Sequence, residues 1–456
     1  MNPVSQCRAY FDTGATRSIE WRKKQLSALE DLLVSERDVL CAALATDLGK
    51  PEAEAWGTDL YPALAHCRHV RKNLAKWVKP RRVRLPVSAQ PGKAYTLAEP
   101  LGVCLLLVPW NYPVLLSLTP LATILAAGNA AVLKPSELAP ATSKALAASC
   151  HQYLDANAVR VVEGGVSETE SLLTNRFDHI LFTGSARVGR IVSAAAAQTL
   201  TPITLELGGK SPALVDGSAD LSKAAKRIAW GKFLNAGQSC ISPDYVLVDQ
   251  TVVEQFLTEL TSTITSFFGN DPRKSRDLGR IIDVKNVSRL SALLDGTDPE
   301  KILIGGTIDE ETRYVAPTVV VNPGADSALM SDEIFGPILP VISTHSVEES
   351  LEFTSQYSKP LALYLFSNDA ATKEHVLKSS TSGTVGINHT MFQLAVPGLP
   401  FGGVGESGHG RYHGKIGFDR FSNTKSVVDK PVRPEIGVIY PPLSRIKKRV
   451  LHRILR

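Results

Sequence analysis

Two short stretches carry residues of complementary reactivity. Cys240 closes the run Asn235-Ala236-Gly237-Gln238-Ser239-Cys240, a loop of small residues after a helical segment, and Glu206 opens Glu206-Leu207-Gly208-Gly209-Lys210 after a β-rich run. A thiol and a carboxylate together supply a nucleophile and a general base, the pair that acyl transfer through a thioester requires. Alone, a free cysteine is most often a small buried hydrophobe, and a Glu before two glycines is ordinarily a loop charge. The flanking glycines change that reading, because Gly237, and Gly208 with Gly209, let the backbone approach a ligand closely or adopt positive φ.

A thiol attacks well only when its thiolate is favoured by a cation, a helix N-terminus or a fixed dipole. The tetrahedral oxyanion it would make from an aldehyde needs hydrogen-bond donors aimed at the developing charge. Asn111, in Pro109-Trp110-Asn111-Tyr112-Pro113 after an apolar run, is a candidate donor; by itself an Asn between prolines is a turn residue. Phe182-Thr183-Gly184-Ser185-Ala186-Arg187-Val188-Gly189 follows a predicted strand and opens a helix, a context in which backbone amides and the helix dipole receive phosphate. It is not the G-x-G-x-x-G fingerprint, and Gly and Ser at a helix start are also ordinary capping chemistry. Lys134-Pro135-Ser136-Glu137 ends another strand, where ligands of open parallel sheets gather; its carboxylate can accept from a ribose diol and its lysine can reach the same hydroxyls or a 2′-phosphate. The bland alternative is a solvated helix start capped by Ser136. Glu333-Ile334-Phe335-Gly336-Pro337 offers a further acid and an aromatic beside a turn.

The elements that must position these residues are legible in outline. At 456 residues the chain exceeds one ordinary core, and its 44% hydrophobic and 21% charged composition is that of a globular protein rather than a disordered one. The six cysteines (Cys7, Cys41, Cys67, Cys104, Cys150, Cys240) are scattered, with neither metal-ligand spacing nor the density of a disulfide scaffold. No metal site is expected, and a reducing compartment fits. Met1 to Gln6 lacks the basic start and apolar core of a secretory signal, so the expectation is cytoplasmic. A net charge of +5 without an aromatic-interleaved basic stripe argues against nucleic acid. Pro100 to Leu133 contains no charged residue, but Pro109, Asn111, Pro113, Pro120, Gly128 and Asn129 interrupt it, which favours a buried strand, loop and helix over a membrane span.

Helical periodicity over Ser18–Glu36 and Asp59–Trp77 predicts an amphipathic layer. After a Pro- and Arg-rich connector, Lys79 to Pro86, apolar runs at 103–108, 130–133, 159–162, 179–182 and 203–207 alternate with helical segments 118–127 and 141–154. The pattern predicts an α/β fold with a parallel sheet covered on both faces. From Leu221 the alternation restarts with helix 222–234, the Cys240 loop, strand 245–248 and helix 252–268, giving a second α/β domain that carries the nucleophile.

In their order along the chain these motifs, together with Pro400-Phe401-Gly402-Gly403-Val404-Gly405, closely resemble the aldehyde dehydrogenase superfamily over nearly the whole sequence. Tyr112 after Asn111, the early start of the chain and the run from Phe401 to Lys415 look most like its class 3 branch, which includes fatty and aromatic aldehyde dehydrogenases. The resemblance implies a Rossmann-like cofactor domain (1–84 and 103–206), a second α/β catalytic domain (207–400) and a small bridging β-element (85–102 and 415–432), paired as a homodimer. It also implies that Cys240 attacks the aldehyde, that Asn111 and the Cys240 amide hold the oxyanion, and that Glu206 activates the hydrolytic water. Lys134 and Glu137 would meet the adenosine ribose, Thr183, Gly184, Ser185, Val188 and Gly189 the pyrophosphate region, and Glu333 with Phe335 the nicotinamide ribose. The carboxylate of Glu137 favours NAD, while Lys134 leaves NADP possible. Ser239 stands where Thr is frequent and Glu406 where Asn is usual; neither change removes a catalytic group.

Leu443, Ile446, Val450 and Ile454 fall on one side of a basic tail, 443–456, that ends without the long apolar anchor of the fatty aldehyde branch. Such a helix can lie on an anionic membrane surface; docking on the enzyme body or a solvated end are the alternatives. Two rival functions use the same fold: a CoA-acylating semialdehyde dehydrogenase, against which Glu206 argues, and a non-catalytic binding protein.

Overall fold

The computed structural model describes residues 2–324, 326–435 and 437–455. The chain opens with helices Pro3–Asp12, Ile19–Ser35, Arg37–Leu48 and Tyr61–Trp77. Ser18 caps the second, its hydroxyl accepting from Trp21 N, and Leu26, Leu29, Leu32 and Leu33 point into the core as their spacing predicts. Asp59 and Leu60, expected to start the fourth helix, belong instead to a π-helical turn, Ala55–Leu60. The Asp59 carboxylate is turned inward, where it accepts from Leu115 N.

A six-stranded sheet comes next, with spatial order Gly408–His409, Ile203–Leu207, His179–Gly184, Val103–Leu107, Ala130–Lys134, Val159–Val161. The five longer strands are parallel and the first strand in sequence, Val103–Leu107, lies in the middle, flanked by the second and the fourth. This is the doubly wound order of a dinucleotide-binding half, in which the strand order reverses beside Val103–Leu107 and opens a crevice at the carboxyl ends of the strands. The uncharged run of the sequence resolves into Val103–Leu107 and the helix Pro113–Ala127, every residue of which is buried. The helix begins five residues before the expected Leu118. Pro113 sits in its first turn, where no N–H is needed, and Pro120 is tolerated inside an element enclosed on all sides. Gly128, at φ +88°, ends it. Among the described residues no helix is long and apolar enough to cross a membrane.

A seven-stranded sheet holds the second half, in the order Ile302–Ile304, Thr318–Val321, Ile338–Thr344, Tyr245–Asp249, Pro212–Val215, Ala362–Phe366, Thr384–Ile387, parallel except for the first. A separate antiparallel ribbon joins Arg81–Val83, Lys93–Pro100 and Ser422–Asp429, with Lys93 opposite Asp429 and Pro100 opposite Ser422. Arg81–Val83, read from its composition as connector, is thus the ribbon's third strand. Gly414–Arg420 packs as a helix on Tyr61–Trp77 and Pro113–Ala127 rather than within the ribbon. At the end of the chain Arg445–Ile454 forms a helix with no buried residue; Arg456, counted with the tail, lies outside the described residues.

Candidate active site

Cys240 is delivered by an unusual turn. After helix Leu221–Phe233, Asn235 and Ala236 both take φ +51° and Gly237 φ +75°, three successive residues in the left-handed region. Non-glycine residues held there cost about 1–3 kcal/mol each and persist only where neighbours over-determine them. The neighbours are present. Asn235 N donates to Glu54 Oε1 at 2.8 Å, and Asn235 Nδ2 donates to Asn111 O at 2.9 Å and Gln238 O at 3.1 Å. Gln238 Nε2 donates to Asn235 O and Arg280 O while its Oε1 accepts from Ile282 N, and Asn111 Nδ2 donates to Gln238 O at 3.1 Å. Gly237 is obligatory, because a Cβ there would stand 2.2 Å from Gly336 O.

The loop brings the Cys240 thiol beside two acids. Glu206 lies on Ile203–Leu207, between Thr183 on one side and Gly408 on the other, 2% exposed and with neither carboxylate oxygen hydrogen-bonded within the protein. Its space is set by Gly402, where a Cβ would come within 2.9 Å of Glu206 Oε1. Burial holds the Glu206 carboxyl well above the usual carboxylate range, opposed by Arg411. Glu333 rests on Gly208, and burial and the nearby Asp244 push it up to about 8 against the Gly209 amide and Lys210. The Cys240 thiol is pushed up to about 12 by burial and then by the charges of Glu333 and Glu206, with the amides of Cys240 and Ile241 working the other way. Burial thus disfavours the charged form of all three groups, the thiolate included.

Cys240 also borders a cavity of about 270 Å³, lined by Gly57, Thr58, Leu115, Leu116, Trp230 and Phe401 among other mostly apolar side chains. Such a channel accepts an apolar chain and presents its polar end to the thiol. Tyr112 and Phe392 line it too.

Of the residues suspected of holding a nucleotide, Lys134, Glu137 and Thr183 to Gly189 collect at the carboxyl ends of the six-stranded sheet, whereas Glu333 and Phe335 stand just ahead of strand Ile338–Thr344 of the seven-stranded sheet. Lys134 ends its strand nearly buried, its Nζ donating to Pro135 O at 2.8 Å and lying 3.6 Å from the half-exposed Glu137 carboxylate. Thr183 and Gly184 end His179–Gly184, and Ser185 caps helix Ala186–Gln198 by accepting from Val188 N. Gly189 lets that helix sit close to Leu207, whose Cδ2 a Cβ would meet at 2.9 Å. Phe335, at φ +47°, sets its ring edge-on to Trp110 with centroids 5.4 Å apart, and Arg289 Nη2 donates to Ile334 O at 2.8 Å. Helix-start amides, a lysine with a carboxylate at the next strand end, and a second acid toward Cys240 form a donor set that fits a dinucleotide. Among the described residues no group of His, Cys, Asp and Glu is arranged to hold a metal ion.

Sequence reasoning missed the charges behind this site. Lys50 and Asp59 form an ion pair with both side chains fully buried, and Lys210 is sealed by Asp244, Leu329 O and Asp332 O. Lys232 is buried with its ammonium unpartnered, and burial lowers it to about 8. Lysines and acids are nearly always on the surface, so nothing in the local sequence marks these as internal.

The comparisons with known proteins agree over the whole molecule. The family model described as aldehyde dehydrogenase family matches residues 3–427. The 4,4'-diaponeurosporen-aldehyde dehydrogenase of Staphylococcus aureus (strain NCTC 8325 / PS 47) is 44% identical over 446 residues, 97% of each chain. Aldehyde dehydrogenase family 3 member A2 of Rattus norvegicus is 42% identical over 97% of this chain and 92% of its own. A solved structure of the substrate-bound state of Staphylococcus aureus AldH superposes with a TM-score of 0.96 at 42% identity, covering 100% of this chain and 99% of that one. With this agreement in sequence, in fold and in the order of its motifs, the chain belongs to the aldehyde dehydrogenase family, on the family 3 branch, and is an aldehyde-oxidising enzyme.

Proposed function

We propose that this enzyme oxidises apolar aldehydes, with a medium or long chain or an aromatic ring, to the carboxylic acid with NAD as acceptor and NADP admitted. The observation that carries the reading is the apolar cavity that ends at Cys240, with the buried carboxyl of Glu206 beside the thiol.

With its thiol proton passed to the ionised carboxylate of Glu206 and on to solvent, Cys240 Sγ adds to the aldehyde carbon, and the oxyanion forms where Asn111 Nδ2 and the Cys240 amide can donate to it. The nicotinamide, when bound, supplies the hydride acceptor. Loss of hydride from the adduct leaves a thioester on Cys240. Glu206 then takes a proton from water, the water oxygen attacks the thioester carbon, and the released Cys240 sulfur regains a proton as the acid leaves. Lys134 and Glu137 address one ribose, the start of helix Ala186–Gln198 the pyrophosphate and Glu333 the other ribose. The carboxylate of Glu137 disfavours a 2′-phosphate and the adjacent Lys134 offsets it, which supports NAD first and NADP second.

The division of labour follows the sheets: the six-stranded sheet for nucleotide, the seven-stranded sheet for the nucleophile, and the ribbon for pairing two protomers. The outer strand Ser422–Asp429 leaves one edge unpaired and mostly exposed, which supports a homodimer. Six free cysteines support a cytoplasmic setting. The tail helix, with Leu443, Ile446, Val450 and Ile454 all exposed among basic residues, supports reversible contact with an anionic membrane. Equal and negligible co-sedimentation with anionic liposomes by the full chain and by a chain lacking 443–456 removes that part of the proposal.

The test of the main reading is formation of NADH across short, long-chain and aromatic aldehydes, repeated with NADP. Turnover efficiency rising with apolar surface is the expected result. Preference for short polar aldehydes, or acyl-CoA as the product when CoA is supplied, overturns it.

A further inference from the structure

Lys50 and Asp59 touch neither the cavity nor the acids around Cys240, yet they are the most deeply buried ion pair described here, with side-chain exposures of 0% and a 2.9 Å contact. Burying two charges is expensive, and apolar residues of the same volume usually serve stability as well or better. Such a pair calls for a task that apolar residues could not perform, and its remaining contacts point to one.

Lys50 follows Gly49, whose left-handed conformation (φ +58°) ends helix Arg37–Leu48 and turns the lysine inward. Its ammonium donates to Asp59 Oδ2 at 2.9 Å and to Asn111 O at 3.2 Å, and stands 4.2 Å from the centroid of the Tyr112 ring. Asp59 uses its other oxygen to accept from Leu115 N at 2.7 Å, at the open start of helix Pro113–Ala127. The hydrogen bonds that the two side chains make outside the pair, and the lysine's ring contact, therefore fall on one short stretch, residues 111–115, while Glu54 lies within reach of both charges. Asn111 O has a second donor, Asn235 Nδ2, which also bonds Gln238 O, the acceptor of Asn111 Nδ2. The carbonyl of Asn111 is thus pinned from the ion pair on one side and from the nucleophile loop on the other.

We propose that Lys50, held by Asp59, is a positioning residue for the oxyanion site: it fixes the Asn111 peptide so that the Asn111 carboxamide and the Cys240 loop keep a single relative geometry. The proposal rests on the reading of Asn111 as oxyanion donor. Neither charge contacts substrate; both act through Asn111. Displacing a reacting group by an ångström costs up to about 10²-fold in rate, and loss of one oxyanion donor costs about 10²–10³-fold.

The experiment is a double-mutant cycle in the full-length enzyme. Lys50→Met with Asp59→Asn removes both charges while leaving an acceptor for Leu115 N. It is measured alone and combined with Asn111→Ala, for aldehyde turnover, KM, NADH affinity by fluorescence and thermal unfolding. The expected result is a fall of about 10–10²-fold in kcat, with KM and NADH affinity within about twofold, and no further fall when the charge pair is removed from Asn111→Ala. An unchanged kcat, or a loss that adds in full to that of Asn111→Ala, overturns the proposal. Should the paired variant fail to fold, Lys50→Arg keeps the charge and displaces the donor from Asn111 O, with the same criteria applied. If Asn111→Ala alone leaves kcat intact, the reading of Asn111 fails and the proposal with it; if only Asn111→Ala lowers kcat, that reading stands and the role of Lys50 falls.

Discussion

The surroundings of Cys240 divide into two unlike regions. On one side Cys240 opens on a cavity whose wall is mostly apolar, with Leu115, Leu116, Trp230, Met391 and Phe401 among its lining residues. On its other flank stand the buried Glu206 and the partly buried Glu333, whose charges both raise the thiol's pKa. The difference separates selection from chemistry. On the proposed function, the apolar wall selects the substrate by transfer from water, while the two acids, both held above the usual carboxylate range by burial, take up and release protons.

The largest effect belongs to the atom both regions share. Cys240→Ser is expected to cut aldehyde oxidation by at least about 10³-fold, with nucleotide binding by fluorescence titration retained. Substantial residual turnover would remove the thioester from the scheme. On the acidic flank, Glu206→Gln keeps size and loses the base, so deacylation is expected to slow by about 10²–10⁴-fold. Intact-protein mass spectrometry should then show an acyl adduct on Cys240 that the wild type does not accumulate. A turnover loss with no adduct would move Glu206 from hydrolysis to an earlier step. On the apolar flank, Thr58→Asp places a charge in the cavity wall, and kcat/KM for long apolar aldehydes is expected to drop about 10–10²-fold with nucleotide affinity unchanged. If short and long aldehydes suffer alike, the wall does not select.

These regions were unequally legible in the sequence. Cys240, Glu206 and Asn111 announce themselves because reactive side chains stand beside glycines or prolines, where backbone constraints are written in residue type. The two left-handed residues ahead of Gly237 do not, since Asn235 and Ala236 are ordinary types, and Asn235 is held by Glu54 and Asn111 from distant segments as well as by Gln238 of its own loop. Lys50, Asp59 and Lys232 were invisible for a related reason: burial of a charge is decided by tertiary partners. The parallel strands were readable from their continuous apolar runs, and all five runs of the first sheet are strands shifted by no more than two residues at an end. Arg81–Val83 was not, because its strand character comes from register against Ala94–Thr96 rather than from its own exposed side chains. Proline misled at Pro113, where a break in the pattern is the helix's first turn.

The smallest prediction sharpens the contrast by asking whether the acidic flank costs the fold anything. Glu333 has a folded-state pKa of about 8 against an ordinary value of 4.5, raised first by burial. Between those values the native state binds a proton that the unfolded chain has lost, so the native state is progressively penalised as pH rises from 4.5 toward 8. Glu333→Gln keeps an acceptor for the Gly209 amide and cannot ionise. Its melting temperature relative to wild type should therefore increase between pH 5 and 8, by roughly 2–4 °C. Thr58→Asp has no such history of burial and should show no matching trend. A gap that is flat with pH, or that closes as pH rises, would mean that Glu333 is already ionised in the resting enzyme under the nearby charges of Lys210 and Lys232, and the acidic flank would then be charged rather than a store of protons.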